Sequence, residues 1–343
     1  MAAAPTLLPS GLMDVLPPLA AREYKLIHHF LKTFTGFGYQ PVIPPLAEYA
    51  ESMLAGAGEA TSHHVFRVPD PLAPQMLALR ADITGQVARI AVSSLSAEPR
   101  PLRLCYAGYT LRTTAEALKT RRQHCQVGIE RFGDIDARAI GEVLAISAHA
   151  LQSAGLEGLT IDLHYPSVLE PLLNHYPLQQ HAALREAVRL KDHAQLHALG
   201  ADDIAELLRH AGLAKTIIAR LEASSNAIVK HAASELRALV ETLARYDIAA
   251  TVTIDLLDLS GYGYYHGIDY ALYWNKAGLE VGRGGCYRAP GGEEAVGFTL
   301  YLNELLDHLG ADEPAPVKSI AYGTPLAEAE ALQKQGFTTV FGE

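Results

Sequence analysis

Apolar residues recur at a helical period in the first part of the chain. This spacing predicts a helix over Leu19–Thr35, since it places the apolar side chains on one face. Further helices are predicted over Ile83–Ser94 and over Ala137–Ala154, which is rich in alanine, isoleucine and leucine. Glycines and paired prolines in Gly36–Glu48 break the first helix and leave room for one short strand.

Short apolar runs with alternating character predict strands in the remainder of the chain. The segments HHVFRV and MLALRAD read as a hairpin whose turn is Pro69–Gln75. Other strands are predicted in the segments PLRLCYAGYTLR, RRQHCQVGIERFG, LTIDLHYP, VTIDLL, YYHGIDYALYW and GFTLYLNEL. Short connections between such strands favour antiparallel pairing. The sequence therefore predicts an α+β fold with an antiparallel sheet core flanked by helices.

The amino-acid composition changes in the second half of the chain. Residues from about 168 to 249 are rich in alanine, leucine and histidine without a strand pattern, which predicts a helical insertion. The C-terminal segment reads as one short β–α–β unit after a linker at Pro314–Pro316. We therefore expect a core over residues 1–317, interrupted by the insertion, and a C-terminal stub over residues 318–343.

Composition narrows the class of protein. The chain has 49% hydrophobic residues, which indicates a globular protein. Its net charge of −10 opposes binding to the phosphate backbone of nucleic acids. Cys105, Cys125 and Cys286 are isolated, so we expect a reducing compartment, no metal site and no cofactor. No signal peptide or membrane span is visible, so a cytoplasmic protein is expected.

Five polar residues form a set that could bind a zwitterion. Asp82 and Glu130 are acids, Thr84 and Gln126 are neutral, and Arg112 is a permanent cation. Acids bind an ammonium group, and a guanidinium binds a carboxylate as a fork. Gln126 and Glu130 are four residues apart on one strand, so they share a face. Each residue alone could equally belong to a structural ion pair between strands.

Four segments resemble, in chain order, the active-site segments of the histidyl-tRNA synthetase family. They are LRADIT, YTLRTTAEALKTRRQHCQVGIE, SGYGYYHGIDY and GFTLYLNEL. The resemblance implies that Asp82 and Thr84 hold the amino group of histidine and that Arg112 is the arginine of motif 2. It implies that Gln126 and Glu130 read the histidine backbone and ring.

The same resemblance implies an aromatic wall for the imidazole ring. Tyr265 would lie on the ring with Tyr264 beside it, and Tyr287 of the segment GGCYR is a further candidate. The alternative is that these tyrosines are core residues and cross-strand pairs. For Tyr262 and Tyr270 we expect that second role.

The chain departs from the synthetase pattern where ATP is handled. Ser260 and Glu304 stand at two positions where the family has arginines, and Ala115 lies where motif 2 continues with charged residues. Phosphoryl chemistry is stabilised by positive charge, so we expect no adenylate formation and no catalytic residues. The resemblance also implies a stub in place of the family's anticodon-binding domain.

A chain that keeps the amino-acid pocket but lacks the ATP-binding arginines resembles the histidyl-tRNA-synthetase-like regulatory subunits of ATP phosphoribosyltransferase. That resemblance implies a homodimer formed through Gly36–Glu48 and a hetero-octamer with the short-form catalytic subunit. It implies L-histidine as a feedback effector in the first step of histidine biosynthesis, with no specific tRNA. Two alternatives stay open: an active synthetase or adenylate-forming paralogue, and a dimeric scaffold without a ligand.

Overall fold

The computed structural model describes residues 7–55, 64–115, 121–309 and 315–342. The strands are β1 (Gln40–Pro41), β2 (Ala47–Tyr49), β3 (Arg67–Pro69), β4 (Met76–Leu79), β5 (Leu102–Leu111), β6 (Gln123–Phe132), β7 (Leu159–His164), β8 (Ala211–Leu213), β9 (Ala250–Asp255), β10 (Asp269–Trp274), β11 (Leu279–Arg288), β12 (Glu294–Tyr301), β13 (Val317–Ala321) and β14 (Thr338–Gly342). The helices are α1 (Leu19–Gly36), α2 (Ala50–Ala55), α3 (Thr84–Val92), α4 (Ala137–Ser153), α5 (Leu169–Leu173), α6 (His181–Arg189), α7 (His193–Ala198), α8 (Asp202–Leu207), α9 (Ala214–Glu222), α10 (Ala227–Ala244), α11 (Leu302–Leu309) and α12 (Leu326–Lys334).

A nine-stranded sheet organises the chain, in the order β1-β5-β6-β12-β11-β10-β7-β9-β8. Its central pairs, from β5 to β7, are antiparallel, which confirms the predicted α+β core. The pairs β1–β5 and β7–β9 near the edges are parallel. The sequence indicated most of these strands, but it showed no strand pattern for the glycine-rich β11. It also did not indicate these two directions, because a strand's own pattern does not encode the direction of its neighbour.

One face of the sheet is covered by α1 and α4. Phe30 and Phe34 of α1 are fully buried there, and Val143 and Leu144 of α4 pack into the same cluster. The helix α4 begins where the Asp136 side chain accepts hydrogen bonds from two backbone N–H groups of its first turn. These helices bury the apolar face of the sheet and leave its other face for polar residues.

The opposite face carries α3 and a second, smaller cluster of buried residues, including Tyr106 and Phe132. A three-stranded sheet in the order β2-β4-β3 lies beside it, and its β3–β4 pair is the predicted hairpin. Buried Arg80 follows β4 and donates hydrogen bonds to the carbonyls of Tyr109 and Pro44, at 2.7 and 2.9 Å. These bonds hold the small sheet against the large one.

The helical insertion contains α5 to α10, as the composition indicated, but the expectation that it holds no strand was wrong. β8 pairs with β9 and extends the large sheet by one strand. A three-residue strand is too short for a periodic signal, so only the pairing with β9 reveals it. At the C-terminus, β13 and β14 pair in parallel with α12 between them, as the predicted β–α–β unit requires. The division into a core and a stub stays a prediction.

The three cysteines are free and buried. Burial raises the pKa of the Cys105 thiol to about 11, so the thiol stays protonated at neutral pH. Within the described residues, no group of three His, Cys, Asp or Glu side chains is arranged to hold a metal ion. None of the described helices is long and apolar enough to cross a membrane.

Gly284→Ala should destabilise the protein by about 3 kcal/mol or more, because a buried sheet has no room to relax around an added methyl group. Its Cβ would lie directly against the carbonyl oxygen of Gly297 and 2.7 Å from Cε2 of Tyr270. Thermal unfolding followed by circular dichroism measures the effect. Gly36→Ala is the control, since its Cβ meets open space and alanine favours a helix. Equal melting temperatures for both variants would contradict this packing.

Candidate ligand-binding site

A cavity of about 210 Å³ lies between the polar face of the large sheet, the start of α3 and the loop before β10. We call it the pocket. Its wall includes Asp82, Thr84, Arg112, Ser260, Tyr262, Tyr264, Tyr265, Arg283, Thr299 and Tyr301. Five of the eight predicted site residues therefore line one cavity, although they come from three separate parts of the chain. The other three, Gln126, Glu130 and Tyr287, lie behind its wall.

Asp82 is held in place by hydrogen bonds on both oxygens. Oδ1 accepts from the backbone N–H of Thr84 at 2.8 Å, and Oδ2 accepts from Nε2 of Gln126 at 2.9 Å. The other end of the Gln126 amide accepts from the backbone N–H of Ile83 at 3.1 Å. Gln126 is fully buried, so it positions Asp82 and the start of α3 and does not itself face the cavity.

Glu130 lies below the pocket, 1% exposed. The hydroxyl of Tyr287 donates to one carboxyl oxygen at 2.8 Å, and that of Tyr106 donates to the other at 3.4 Å. Gly297 on the neighbouring strand leaves the space that this carboxyl fills, since a Cβ there would overlap it. Burial raises the pKa of Glu130 to about 8, so the carboxyl is mostly neutral at pH 7.

The tyrosines form one aromatic cluster. Tyr264 packs edge-on against Tyr265, with ring centroids 5.0 Å apart, and stacks on Tyr287 at 5.5 Å. Tyr287 is 2% exposed and therefore supports the ring of Tyr264 and the carboxyl of Glu130 from behind. Tyr270 is a core residue, as expected. Tyr262 was expected in the core as well, but it lies half-buried on the pocket wall.

The Tyr262 error follows from the local structure. The segment from Ser260 to Gly267 is a loop, and β10 begins only at Asp269. A loop does not alternate its side chains between two faces, so strand periodicity misplaces them.

Sequence reasoning missed three wall residues that the sheet brings in. Thr299 and Tyr301 alternate with the apolar core residues Phe298 and Leu300 of β12, and Arg283 lies opposite Thr299 on β11. The alternation from Gly297 onward was the available signal, because residues two apart on a strand share a face. Ser260 lies on the pocket wall, whereas Glu304 lies in α11, the helix that follows β12.

The pKa of Glu130 makes a prediction about stability. A carboxyl whose pKa is raised on folding stabilises the protein at low pH, and that contribution is lost as the pH rises to about 8. Glu130→Gln stays neutral at every pH. Between pH 5 and pH 8, the unfolding free energy of this variant should therefore rise relative to that of wild type by on the order of 4 kcal/mol. Thermal melts of both proteins at each pH measure this difference.

Glu142→Gln is the control with the opposite sign. Burial opposes ionisation of Glu142, but the Arg103 hydrogen bonds hold its pKa below the usual value. Its variant should therefore lose stability relative to wild type as the pH rises through the acidic range to about 4.5, and the difference should stay constant between pH 5 and pH 8. Parallel pH profiles for wild type and Glu130→Gln would show that Glu130 does not titrate in this range.

Comparisons with known proteins agree on the family. Residues 11–305 match the family model described as Histidyl-tRNA synthetase. An ATP phosphoribosyltransferase regulatory subunit from Paramagnetospirillum magneticum is 41% identical over 98% of this chain and 90% of its own length. One of the same name from Rhodospirillum centenum is 36% identical, over 97% of this chain and 88% of its own.

Solved structures show the same fold. An ATP phosphoribosyltransferase regulatory subunit/histidyl-tRNA synthetase from Bacillus halodurans superimposes with a TM-score of 0.85 at 24% identity, over 98% of this chain and 93% of that one. A chain of the ATP phosphoribosyl transferase (HisG:HisZ) complex from Thermotoga maritima gives 0.66 at 17% identity, over 82% of this chain and 97% of that one. The extent of the sequence identity and the shared class II synthetase-like fold together place this chain in the family of ATP phosphoribosyltransferase regulatory subunits.

Proposed function

We propose that this chain binds L-histidine in the pocket as a feedback effector and has no synthetase activity of its own. In this proposal it activates the short-form catalytic subunit of ATP phosphoribosyltransferase in the cytoplasm and makes that subunit sensitive to histidine. The observation that carries the proposal is the convergence of Asp82, Thr84, Arg112, Tyr264 and Tyr265 on one cavity.

The chemistry of the pocket suits a small zwitterion with a flat ring. Asp82 offers a fixed anion to an ammonium group, and Arg112 offers a cation to a carboxylate. Tyr264 and Tyr265 offer aromatic surface to an imidazole ring. A volume of about 210 Å³ is below the roughly 300–1,000 Å³ of pockets for drug-sized ligands, which favours a single amino acid.

Glu130 supports the aromatic wall from behind, because the Tyr287 ring that stacks on Tyr264 donates its hydroxyl hydrogen bond to this carboxyl. Tyr287 and Tyr106 hold the carboxyl in one position, and this restricts what it can contact. Such preorganisation favours one ligand shape over others.

The second candidate function is that of an active histidyl-tRNA synthetase. It is favoured by the family model and by a fold match to a histidyl-tRNA synthetase from Nostoc, with a TM-score of 0.80 at 17% identity, over 98% of this chain and 86% of that one. Against it stands Ser260 on the pocket wall, where the resembling family has an arginine. ATP–pyrophosphate exchange with histidine separates the two functions.

The partner follows from the family. The Thermotoga maritima structure is named as a complex, and the relatives are named as regulatory subunits. We propose that two copies of this chain pair through the region Gly36–Glu48 and assemble with catalytic subunits as a hetero-octamer. Histidine would then act by binding one assembly state more tightly than another.

Arg112→Ala should separate activation from inhibition. The variant mixed with the catalytic subunit should keep the transferase activity of the wild-type mixture, while the half-inhibitory histidine concentration rises about 10- to 100-fold. That range corresponds to loss of a charge-assisted hydrogen bond of about 1.5–3 kcal/mol. Arg138→Ala is the control, since its side chain is 83% exposed on α4, away from the pocket wall. Superimposable inhibition curves for wild type and Arg112→Ala would place the effector elsewhere.

The chain should bind no tRNA specifically and form no histidyl-adenylate. A net charge of −10 opposes tight binding to a polyanion, and Ser260 and Glu304 bring no positive charge to the triphosphate. Filter binding with histidine tRNA and a mixed tRNA pool at near-physiological salt tests the first part, and pyrophosphate exchange tests the second. Saturable preference for histidine tRNA, or exchange that depends on histidine, would favour the synthetase function.

A further inference from the structure

Arg283 is a charged residue of the pocket wall that no part of the proposed function uses. It lies on β11 and is largely buried, with its side chain 15% exposed. Nε and Nη2 each donate to the Glu280 carboxylate at 3.0 Å, which fixes the plane of the guanidinium. Nη1 is buried, and among the described residues it has no hydrogen-bond acceptor. A buried donor without an acceptor is costly and calls for a partner.

The surroundings place this guanidinium beside the turn at Ser260. The Asp258 carboxylate is the nearest acid on that side, with Oδ1 3.9 Å from Nη1, beyond hydrogen-bond distance. The same Oδ1 accepts from the backbone N–H of Ser260 at 2.7 Å. The cation of Arg283 therefore lies near the position where the resembling synthetases carry their arginine and this chain carries serine.

Asp82 and Arg283 stand at two ends of one polar row. Thr84, which follows Asp82, has its hydroxyl 3.5 Å from that of Thr299. Thr299 is in turn the cross-strand partner of Arg283 in the β11–β12 register. All four residues line the pocket, so an acid and a base face one cavity with two threonines between them. A ligand that carries both an ammonium and a carboxylate would complement both charges.

A purely structural role for Arg283 has to be separated from this one. Buried His164 lies between Asp269, at 2.6 Å, and Asp162, at 3.3 Å. Burial opposes its charge, yet these two carboxylates raise the pKa of His164 to about 10. Arg283 is a second cation near Asp269, so its loss would also act on this buried network. Only a readout that depends on the ligand's carboxylate distinguishes the two roles.

We propose that Arg283 contacts the carboxylate of the bound ligand and thereby selects amino acids over their alcohol and amide analogues. The proposal rests on the proposed function, because it takes histidine as the ligand. Arg112 and Arg283 would each contact the carboxylate from a different wall. A ligand that ends in an alcohol brings no charge to Arg283, so the site rejects it.

The test compares L-histidine, L-histidinol and L-histidinamide by isothermal titration calorimetry on the full chain. Wild type should bind histidine at least about 10-fold more tightly than histidinol. The double variant Arg283→Gln/Glu280→Gln, which removes the Glu280 carboxylate together with its guanidinium partner, should weaken histidine binding about 10- to 100-fold while changing histidinol binding by less than about 3-fold. Glu280→Gln alone keeps the guanidinium and should keep the wild-type ratio of affinities. Arg283→Lys keeps the charge without the fork and should recover part of the ratio.

Two results would overturn the proposal while leaving the proposed function intact. One is an equal loss of affinity for all three ligands in the double variant, which a structural role predicts. The other is an unchanged affinity for histidine in the double variant. Wild-type protein that binds no histidine would overturn the proposed function and this inference together. Circular dichroism melts of each variant establish that the folded chain is compared, and Arg283→Lys tests the same ratio if the double variant does not fold.

Discussion

The paired hydrogen bonds between the Gln126 side chain and the segment before α3 are the interaction on which the site depends. Gln126 is fully buried on the central sheet, so both ends of its amide need partners. It finds them in the Asp82 carboxylate and the Ile83 backbone N–H. This locks the first residues of α3 onto β6 and aims Asp82 into the pocket. Without that tie, the acid that faces the cavity would have no fixed position relative to the sheet.

The rest of the site follows from how the large sheet uses its two faces. One face is apolar and is covered by α1 and α4, whereas the other carries buried polar side chains that must pair among themselves. Glu130, His164 and Asp269 are all at most 1% exposed on this side, and each has a named hydrogen-bond partner. In a polar layer of this kind, each buried group that lacks a hydrogen-bond partner costs free energy. A bound ligand that supplies a missing partner would therefore be favoured.

Charge distinguishes this pocket from that of a nucleotide-handling enzyme. Its wall carries two acids, Glu48 and Asp82, and two bases, Arg112 and Arg283. Among the described residues of the wall, Nη1 of Arg283 is the one buried donor without a hydrogen-bond acceptor. A binding site for a triphosphate needs an excess of cations, whereas a site for an amino acid needs one charge of each sign. Membership in a family of regulatory subunits agrees with a synthetase-like fold whose pocket suits an amino acid and not a triphosphate.

The sequence alone determined most of the elements and several residues of the pocket wall. The periodicity of Leu19–Thr35, the hairpin around Pro69–Gln75 and the helices of the insertion depend on local spacing, and all three appear in the structure. The motif residues Asp82, Thr84 and Arg112 likewise stand in the pocket, because their segments resemble a known pattern in the right order.

Only the tertiary structure decided what those residues touch. Gln126 and Glu130 share a strand face as their spacing requires, yet packing buries both behind the wall and gives them supporting roles. Arg283 carried no signal as a site residue, because what makes it one is the strand register that sets it opposite Thr299. Tyr262 entered the wall because a loop replaced the expected strand. Local patterns record what each segment can form, whereas long-range pairing, which brings together residues far apart in the chain, decides which side chains share a cavity.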